Sequence, residues 1–356
     1  MGRDQKFSEA ELVHRNEIDT PFGKMYDFTT PITAKENMLM LYQGKTPMWT
    51  PFGFGETNRI MCDCDPENKA RSNPPEGRGK DGWGVEWVWV ASAGGAIVHP
   101  GSPMVTDINK WEEQVASIPD PDSWDWEDCA KRFYEKVDPD KAIYASMPGC
   151  LFERLIALMD FAEAVVALID EDQKEGVHRL FRVITDNLKK YYANIKKYIK
   201  ADIVNFNDDW GSQQRPFFSN ATAKEMLYPY VKELVDYVHS LGMYWDDHCC
   251  GHVEDLFDTM FIPTGMDSWG GQEMNDKRAL KAKYPDFIFT VGPKGLTKDS
   301  TPEEVDAAIA DFFANEGADN RVLCSAMGGP ADLKEKIYIA SRKNYDRLVA
   351  EGKAKL

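Results

Sequence analysis

From about residue 140 to its end, the sequence alternates short apolar runs with longer amphipathic ones. AIYASMP, ADIVNFND (201–208), MYWDD (243–247), MDSWG, FIFTVG and RVLCSA have the composition and length of buried strands. Between them, LFERLIALMDFAEAVVALI, residues 170–200 and 219–242, GHVEDLFDTM, DKRALKAKY, STPEEVDAAIADFFANEG and ADLKEKIYIASRKNYDRL read as helices. Thr222 with Glu225, and Thr301 with Glu304, fit capping boxes. A helix after each strand returns the chain to the same end of the sheet, so the strands pair in parallel. TPMWTPFG and VEWVWVAS add earlier strand candidates, and GGAIVHPG a hairpin partner for the second. The units then number about seven or eight, which points to an α/β fold, a (β/α)8 TIM-type barrel. No GxGxxG follows the first strand, which weakens the alternative of a doubly wound dinucleotide-binding sheet.

Such a barrel needs roughly 250 residues, and the chain has 356. The surplus is expected in a peripheral, helical N-terminal extension over 1–42 and a long irregular insertion near 53–83, with one domain over 1–356. The insertion is rich in Gly, Pro, Asn and charge.

Charge excludes some partners. Asp and Glu number 59 against 42 Lys and Arg, a net charge of −17. Nucleic acids and anionic membranes need a basic face, so neither is expected as a partner. The plain reading of the excess acid is solubility. No run of about 18 apolar residues exists to span a membrane, and MGRDQKFSEAELVHRNE has no apolar signal core, so a cytoplasmic location is expected. Seven cysteines, an odd number, favour free thiols or metal ligands over a disulfide framework.

In a barrel, chemistry gathers at the C-terminal ends of the strands. One such end reads Asp246-Asp247-His248-Cys249-Cys250-Gly251-His252. Side chains alternate along a strand, so His248 and Cys250 face the same way and offer a nitrogen and a sulfur for zinc. Cys324, at a later strand end, is the candidate third ligand. The plain structural reading is a buried thiol beside one histidine. His252 belongs to the next helix and reads as a supporting or solvent-facing residue. A second end reads Asn207-Asp208-Asp209-Trp210-Gly211-Ser212-Gln213. Of two adjacent carboxylates, one at most enters a site, as general base, metal ligand or partner of His248. Turn formation is the alternative for this segment. Trp49 and Phe52, in TPMWTPFG, suit a planar ligand or simple packing. Cys62-Asp63-Cys64 has no second pair nearby and reads as incidental.

Together these segments resemble the uroporphyrinogen decarboxylase superfamily from about Gln43 onward. The similarity rests on GCLFERLIALMDFAEAVVALIDED, DDWGSQQRPFFS, DDHCCGHVEDLFDTMFIPTGMDSW and FIFTVGPKGLTKDSTPEEV. The resemblance implies a TIM-type barrel and one of two chemistries. Decarboxylases of the family hold a tetrapyrrole's carboxylates with arginines in a segment like PVWxMRQAGR. Here the matching stretch, PMWTPFGFG, has no arginine, which argues against a polyanionic substrate.

The other branch comprises corrinoid-dependent methyltransferases, whose zinc-dependent members use H-x-C and a distal cysteine. His248 and Cys250 match the first two ligands. Cys324 comes earlier than the pattern's distal cysteine and Met327 falls near the expected place, which leaves Cys324, a carboxylate such as Asp209, or no metal at all. The resemblance therefore implies methyl transfer between a small molecule and a corrinoid (cobalamin) carried by a partner protein, since no corrinoid-binding DxHxxG is evident. A small methoxylated aromatic is the expected methyl donor, with Trp49, Phe52, Trp210, Gln213, Trp245 and Trp269 as substrate-binding candidates. Asp209 and His248 are the catalytic candidates; zinc is expected on His248, Cys250 and Cys324. A thiol as methyl acceptor, decarboxylation, and a non-catalytic ligand-binding barrel are the alternatives. The reading leaves room for a homodimer.

Overall fold

A computed structural model describes residues 5–20, 23–72, 78–93, 95–99, 101–147, 149–326 and 328–356. The fold class is α/β of the TIM-barrel type, with parallel strands separated by helices. The chain divides into two compact units. One comprises 1–58, 137–142 and 267–356, the other 59–136 and 143–266. No helix among the described residues is long and apolar enough to cross a membrane.

In the first unit, Ser268–Trp269, Ile288–Val291 and Leu323–Cys324 form a parallel ladder, with Ser268 opposite Ile288 and Thr290 opposite Leu323. The helices Lys277–Lys283, Pro302–Ala314 and Leu333–Ala350 follow these strands. Thr301 and Glu304 make the expected capping box, with Pro302 in the first turn, where its missing N–H costs nothing.

The N-terminal region departs from expectation. Among its described residues, only Ala34–Tyr42 is an α-helix, capped by Thr33 and Glu36. His14–Thr20 and Gly23–Phe28 pair as an antiparallel hairpin instead. A polar, alternating stretch such as HRNEIDT lacks the apolar stripe a helix must bury. Glu11, 2% exposed, ties the start of the chain to the last helix. Its carboxylate accepts from Nε of Arg342 at 2.8 Å, Nη2 of Arg342 at 3.0 Å and the Tyr338 hydroxyl at 2.6 Å.

TPMWTPFG does not form a regular strand. Its backbone is held by side chains: Asn37 accepts from Met48 N at 2.8 Å and donates to the Trp49 carbonyl at 2.9 Å, and Glu56 accepts from Phe52 N at 3.1 Å. Pro47 and Pro51 have no N–H to give a ladder. Phe52 alone bridges to Cys324, and the regular strand begins later, at Thr57–Met61.

Ala142–Ser146, Ile203–Asn207 and Tyr244–His248 form a parallel ladder, whose paired residues lie in the second unit. Burial on both faces explains the near-continuous apolar runs of the first two. The long helix Lys174–Asn194 and the helix Tyr228–Ser240 follow the first two. Ser219, rather than Thr222, caps the segment leading into the latter, accepting from Thr222 N at 3.1 Å.

The insertion near 53–83 is more regular than expected. It holds the Thr57–Met61 strand and the short helix Pro66–Arg71 capped by Asp65. Arg78–Lys80 pairs with Glu86–Val90, which pairs in turn with Gly95–Val98, so the expected hairpin is one edge of a three-stranded antiparallel sheet. Residues 73–77 lie outside the described residues.

Candidate metal centre and active site

The site grows from strand register in the second unit. Asn207 sits opposite His248 at the last rung of the ladder. The two residues beyond each, Asp208-Asp209 and Cys249-Cys250, therefore leave the sheet side by side. Asp208 N donates to the His248 carbonyl at 3.2 Å, and Cys250 N donates to Oδ1 of Asp209 at 2.7 Å. Further on, the loops touch backbone to backbone: His252 N donates to the Ser212 carbonyl at 2.7 Å. A Cβ on Gly251 would lie 2.1 Å from the Gly211 carbonyl oxygen, and Gly251 has φ +85°, so glycine is required there.

This arrangement brings Asp209, His248 and Cys250 together. One donor atom from each lies within 4.8 Å of the other two. Nε2 of His248 and Sγ of Cys250 are 3.3 Å apart. The His248 side chain is exposed, and Asp209 and Cys250 are half-buried, so the cluster opens to solvent. Burial, and then the charge of Asp209, pushes the Cys250 thiol up to about 12.

Beneath the cluster is a buried carboxylate. Asp208 accepts from the backbone N–H of Phe152 at 3.1 Å and of Glu153 at 2.8 Å, at the start of the helix Phe152–Met159. It also accepts from Nε1 of Trp210 at 2.8 Å. Burial outweighs these bonds and raises Asp208 to about 6. Glu153 is raised to about 8, chiefly by burial, although Arg71 lies 3.4 Å away.

The other expected residues are dispersed. Cys324 belongs to the first unit, where burial, then the charge of Glu56, holds its thiol well above the ordinary range. Met327, the alternative position for the third ligand, lies outside the described residues. The five aromatic candidates are all buried. Trp49 donates Nε1 to Glu56 at 3.1 Å and packs on Tyr338. Phe52 lies beneath Nζ of Lys334, 5.2 Å from the ring centre. Trp210 packs on Phe261, Trp245 on Phe206 and Tyr192, and Trp269 edge-on to Phe289. Gln213 is exposed in the loop that Ser212 closes, where the Ser212 hydroxyl accepts from Gln214 and Arg215. Half-buried His252 pairs with Glu254 at 3.0 Å.

Two groupings were not legible in the sequence. Glu153, in LFERL, carries no motif. The Cys62-x-Cys64 pair is not isolated, since both thiols interact with Cys129 of the helix Trp126–Tyr134. Hydrogen bonding with these two thiols holds the Cys129 thiol below the ordinary range.

No family model matches the chain, and no curated protein matches it in sequence. Among solved structures it is similar to a methyltransferase from Methanosarcina mazei, at 15% identity over 90% of this chain and 98% of that one, with a TM-score of 0.55. It also aligns with the GH18 chitinase ChiB of Flavobacterium johnsoniae, at 12% identity over 65% and 84% of the two chains, TM-score 0.33. A D-psicose 3-epimerase from Clostridium cellulolyticum H10 aligns at 11% identity over 63% and 81%, TM-score 0.30. The first of these likenesses is one of fold, the TIM-type α/β architecture.

Proposed function

We propose that this chain is a methyltransferase that works with a corrinoid carried by a separate protein and takes its methyl group from a small methoxylated aromatic. The observation that carries the reading is the cluster of Asp209, His248 and Cys250 at adjacent strand ends. The fold shared with a methyltransferase supports it.

The donor set suits zinc: one imidazole nitrogen, one sulfur and one carboxylate oxygen within reach of each other, with a solvent-facing side left open. His248, Cys250 and Asp209 would hold the ion. Bound there, zinc supplies Lewis-acid stabilisation of a leaving oxygen. Asp209 also fixes the loop through its bond from Cys250 N. Glu153, near enough to Asp209 to sense its charge, keeps a proton at neutral pH and can deliver it to a phenolate as the methyl group departs.

The test has two parts. Metal analysis of the purified protein should find about one zinc per chain, absent from His248→Ala. Methyl transfer from a methoxybenzoate to cob(I)alamin should depend on that zinc. A protein that binds no zinc, or a His248→Ala variant of full activity, sinks the mechanism. Transfer from methylcobalamin to a thiol, without ether cleavage, would assign the same site the other methyl acceptor. Release of CO₂ from a tetrapyrrole would reverse the reading.

A further inference from the structure

The second unit contains a cavity that the reaction above does not use. It has about 530 Å³ of empty space, including its mouth. It lies between the helix Lys174–Asn194, the turn at 119–124 and the start of the helix Pro66–Arg71, and none of Asp209, His248 and Cys250 lines it. We propose that it binds a small methylated ammonium ion, with Trp124, Trp83 and Tyr191 as the aromatic wall and Asp65 as the counter-charge.

Charge is the first argument. Asp65 and Glu67 line the cavity together with Arg154. Arg154 is 3% exposed and fully engaged, by Asp81 at 2.6 Å on one side and by Glu67 on the other. Arg71 is shared between Glu67 at 3.3 Å and Glu153 at 3.4 Å. Glu153 keeps its proton, so Asp65, Glu67 and Asp81 face two guanidiniums, and among the described residues Asp65 has no cationic side chain of its own within ion-pair distance. Its Oδ1 accepts only from Glu67 N, at 2.8 Å, as a helix cap. A buried excess of negative charge is unstable without protons or a cation. Burial and the neighbouring Glu67 do hold the Asp65 proton, up to about 8. An entering cation would take that proton's place.

The second argument concerns the walls. Tyr191 is 2% exposed, and among the described residues its hydroxyl meets the Cys62 thiol but no nitrogen or oxygen partner; it senses the charge of Asp65 as well. Trp124 meets Tyr191 edge-on at 5.9 Å and stacks on Trp126 at 5.8 Å, which fixes the orientation of the rings. Aromatic faces beside a carboxylate are the arrangement that holds quaternary and tertiary ammonium groups, whose methyls spread the charge over the rings.

Other ligand classes fit less well. An anion would need Arg154, which two carboxylates already saturate. A bare metal ion would need converging ligand atoms, and among the described residues only Asp209, His248 and Cys250 converge. A neutral ligand would leave the Asp65 carboxyl protonated and make no use of it as a counter-charge.

The test uses the full-length protein and calorimetric titration with choline, tetramethylammonium and the neutral choline isostere 3,3-dimethylbutanol. Choline and tetramethylammonium should bind, with choline about tenfold or more tighter than the isostere. Asp65→Asn keeps a helix-capping side chain, so the variant should remain folded by circular dichroism. Asp65→Asn and Trp124→Ala should each weaken choline about tenfold or more. Zinc content should stay unchanged in both, which separates this site from the metal centre. Equal binding of the isostere, no binding of either cation, or wild-type affinity in either variant overturns the proposal.

Discussion

Sγ of Cys250 lies 3.3 Å from Nε2 of His248, although His248 ends its strand and Cys250 is already in the loop beyond it. The alternation of side chains along a strand does not reach that far by itself. What continues it is the neighbouring strand: Asn207 pairs with His248, and Asp209 takes the backbone N–H of Cys250 at 2.7 Å. The carboxylate that could serve as third ligand is therefore also the group that orients the thiol.

This coupling predicts a proton count. Burial and Asp209 push the Cys250 thiol up to about 12, so at neutral pH it is protonated. Zinc binds the thiolate and must displace that proton. Calorimetric zinc titrations in buffers of different ionisation enthalpy should show release of about one proton per ion near pH 7, falling to near zero in Cys250→Ser. Affinity should rise with pH, about tenfold per unit while the thiol remains protonated. Zinc uptake without proton release would mean that Cys250 is not a ligand.

Asp208 is expected to be structural. It receives three N–H groups, from Phe152, Glu153 and Trp210, and all three lose their partner in Asp208→Ala. The loss of a buried acceptor at a helix start should destabilise the protein by about 2–4 kcal/mol, read by urea unfolding. Asp208→Asn, which keeps one oxygen acceptor, should cost less. A variant as stable as the wild type would show that the three donors find other partners.

The same logic applies to Glu11 and Arg342 in the other unit. Both are buried, at 2% and 0% exposure, and two of the bonds between them are 2.8 and 3.0 Å long. Glu11→Ala strands a buried guanidinium, and should cost about 3–5 kcal/mol in urea unfolding. Replacing Glu11 and Arg342 together by apolar residues should recover most of that loss. A double variant no better than the single would assign the stability to shape rather than charge.

These residues also mark how far the sequence could be read. The βα rhythm from about residue 140 was legible because each strand is short, apolar and flanked by turn or cap residues, as Thr301-Pro302 shows. His248 and Cys250 were legible from spacing alone. Asp209 was one alternative among several, since its selection depends on the register of Asn207 against His248, a contact about 40 residues apart in sequence. Glu11 with Arg342, and Cys62 and Cys64 with Cys129, are still more distant pairings that no local pattern announces. Position at a strand end does not tell whether an indole faces a mouth or the core, and Trp210 and Trp245 are both fully buried.

Asp65 gives the last prediction, one of pH. Its carboxyl is raised from the ordinary value near 3.8 to about 8, by burial first and the charge of Glu67 second. The folded protein therefore keeps a proton that the unfolded chain gives up near pH 4. A group raised on folding contributes stability that is complete below its unfolded pKa and is lost as pH climbs to the folded one. Stability should fall between about pH 4 and about pH 8, by up to about 1.4 kcal/mol per unit for this proton. Glu153, also raised to about 8, adds a second loss over the same window. Asp65→Asn should accordingly flatten the slope without abolishing it. The measurement is urea unfolding of both proteins at about pH 5, about pH 6 and about pH 7. Parallel slopes would show that Asp65 is already ionised in the folded state, and that burial does not hold its proton.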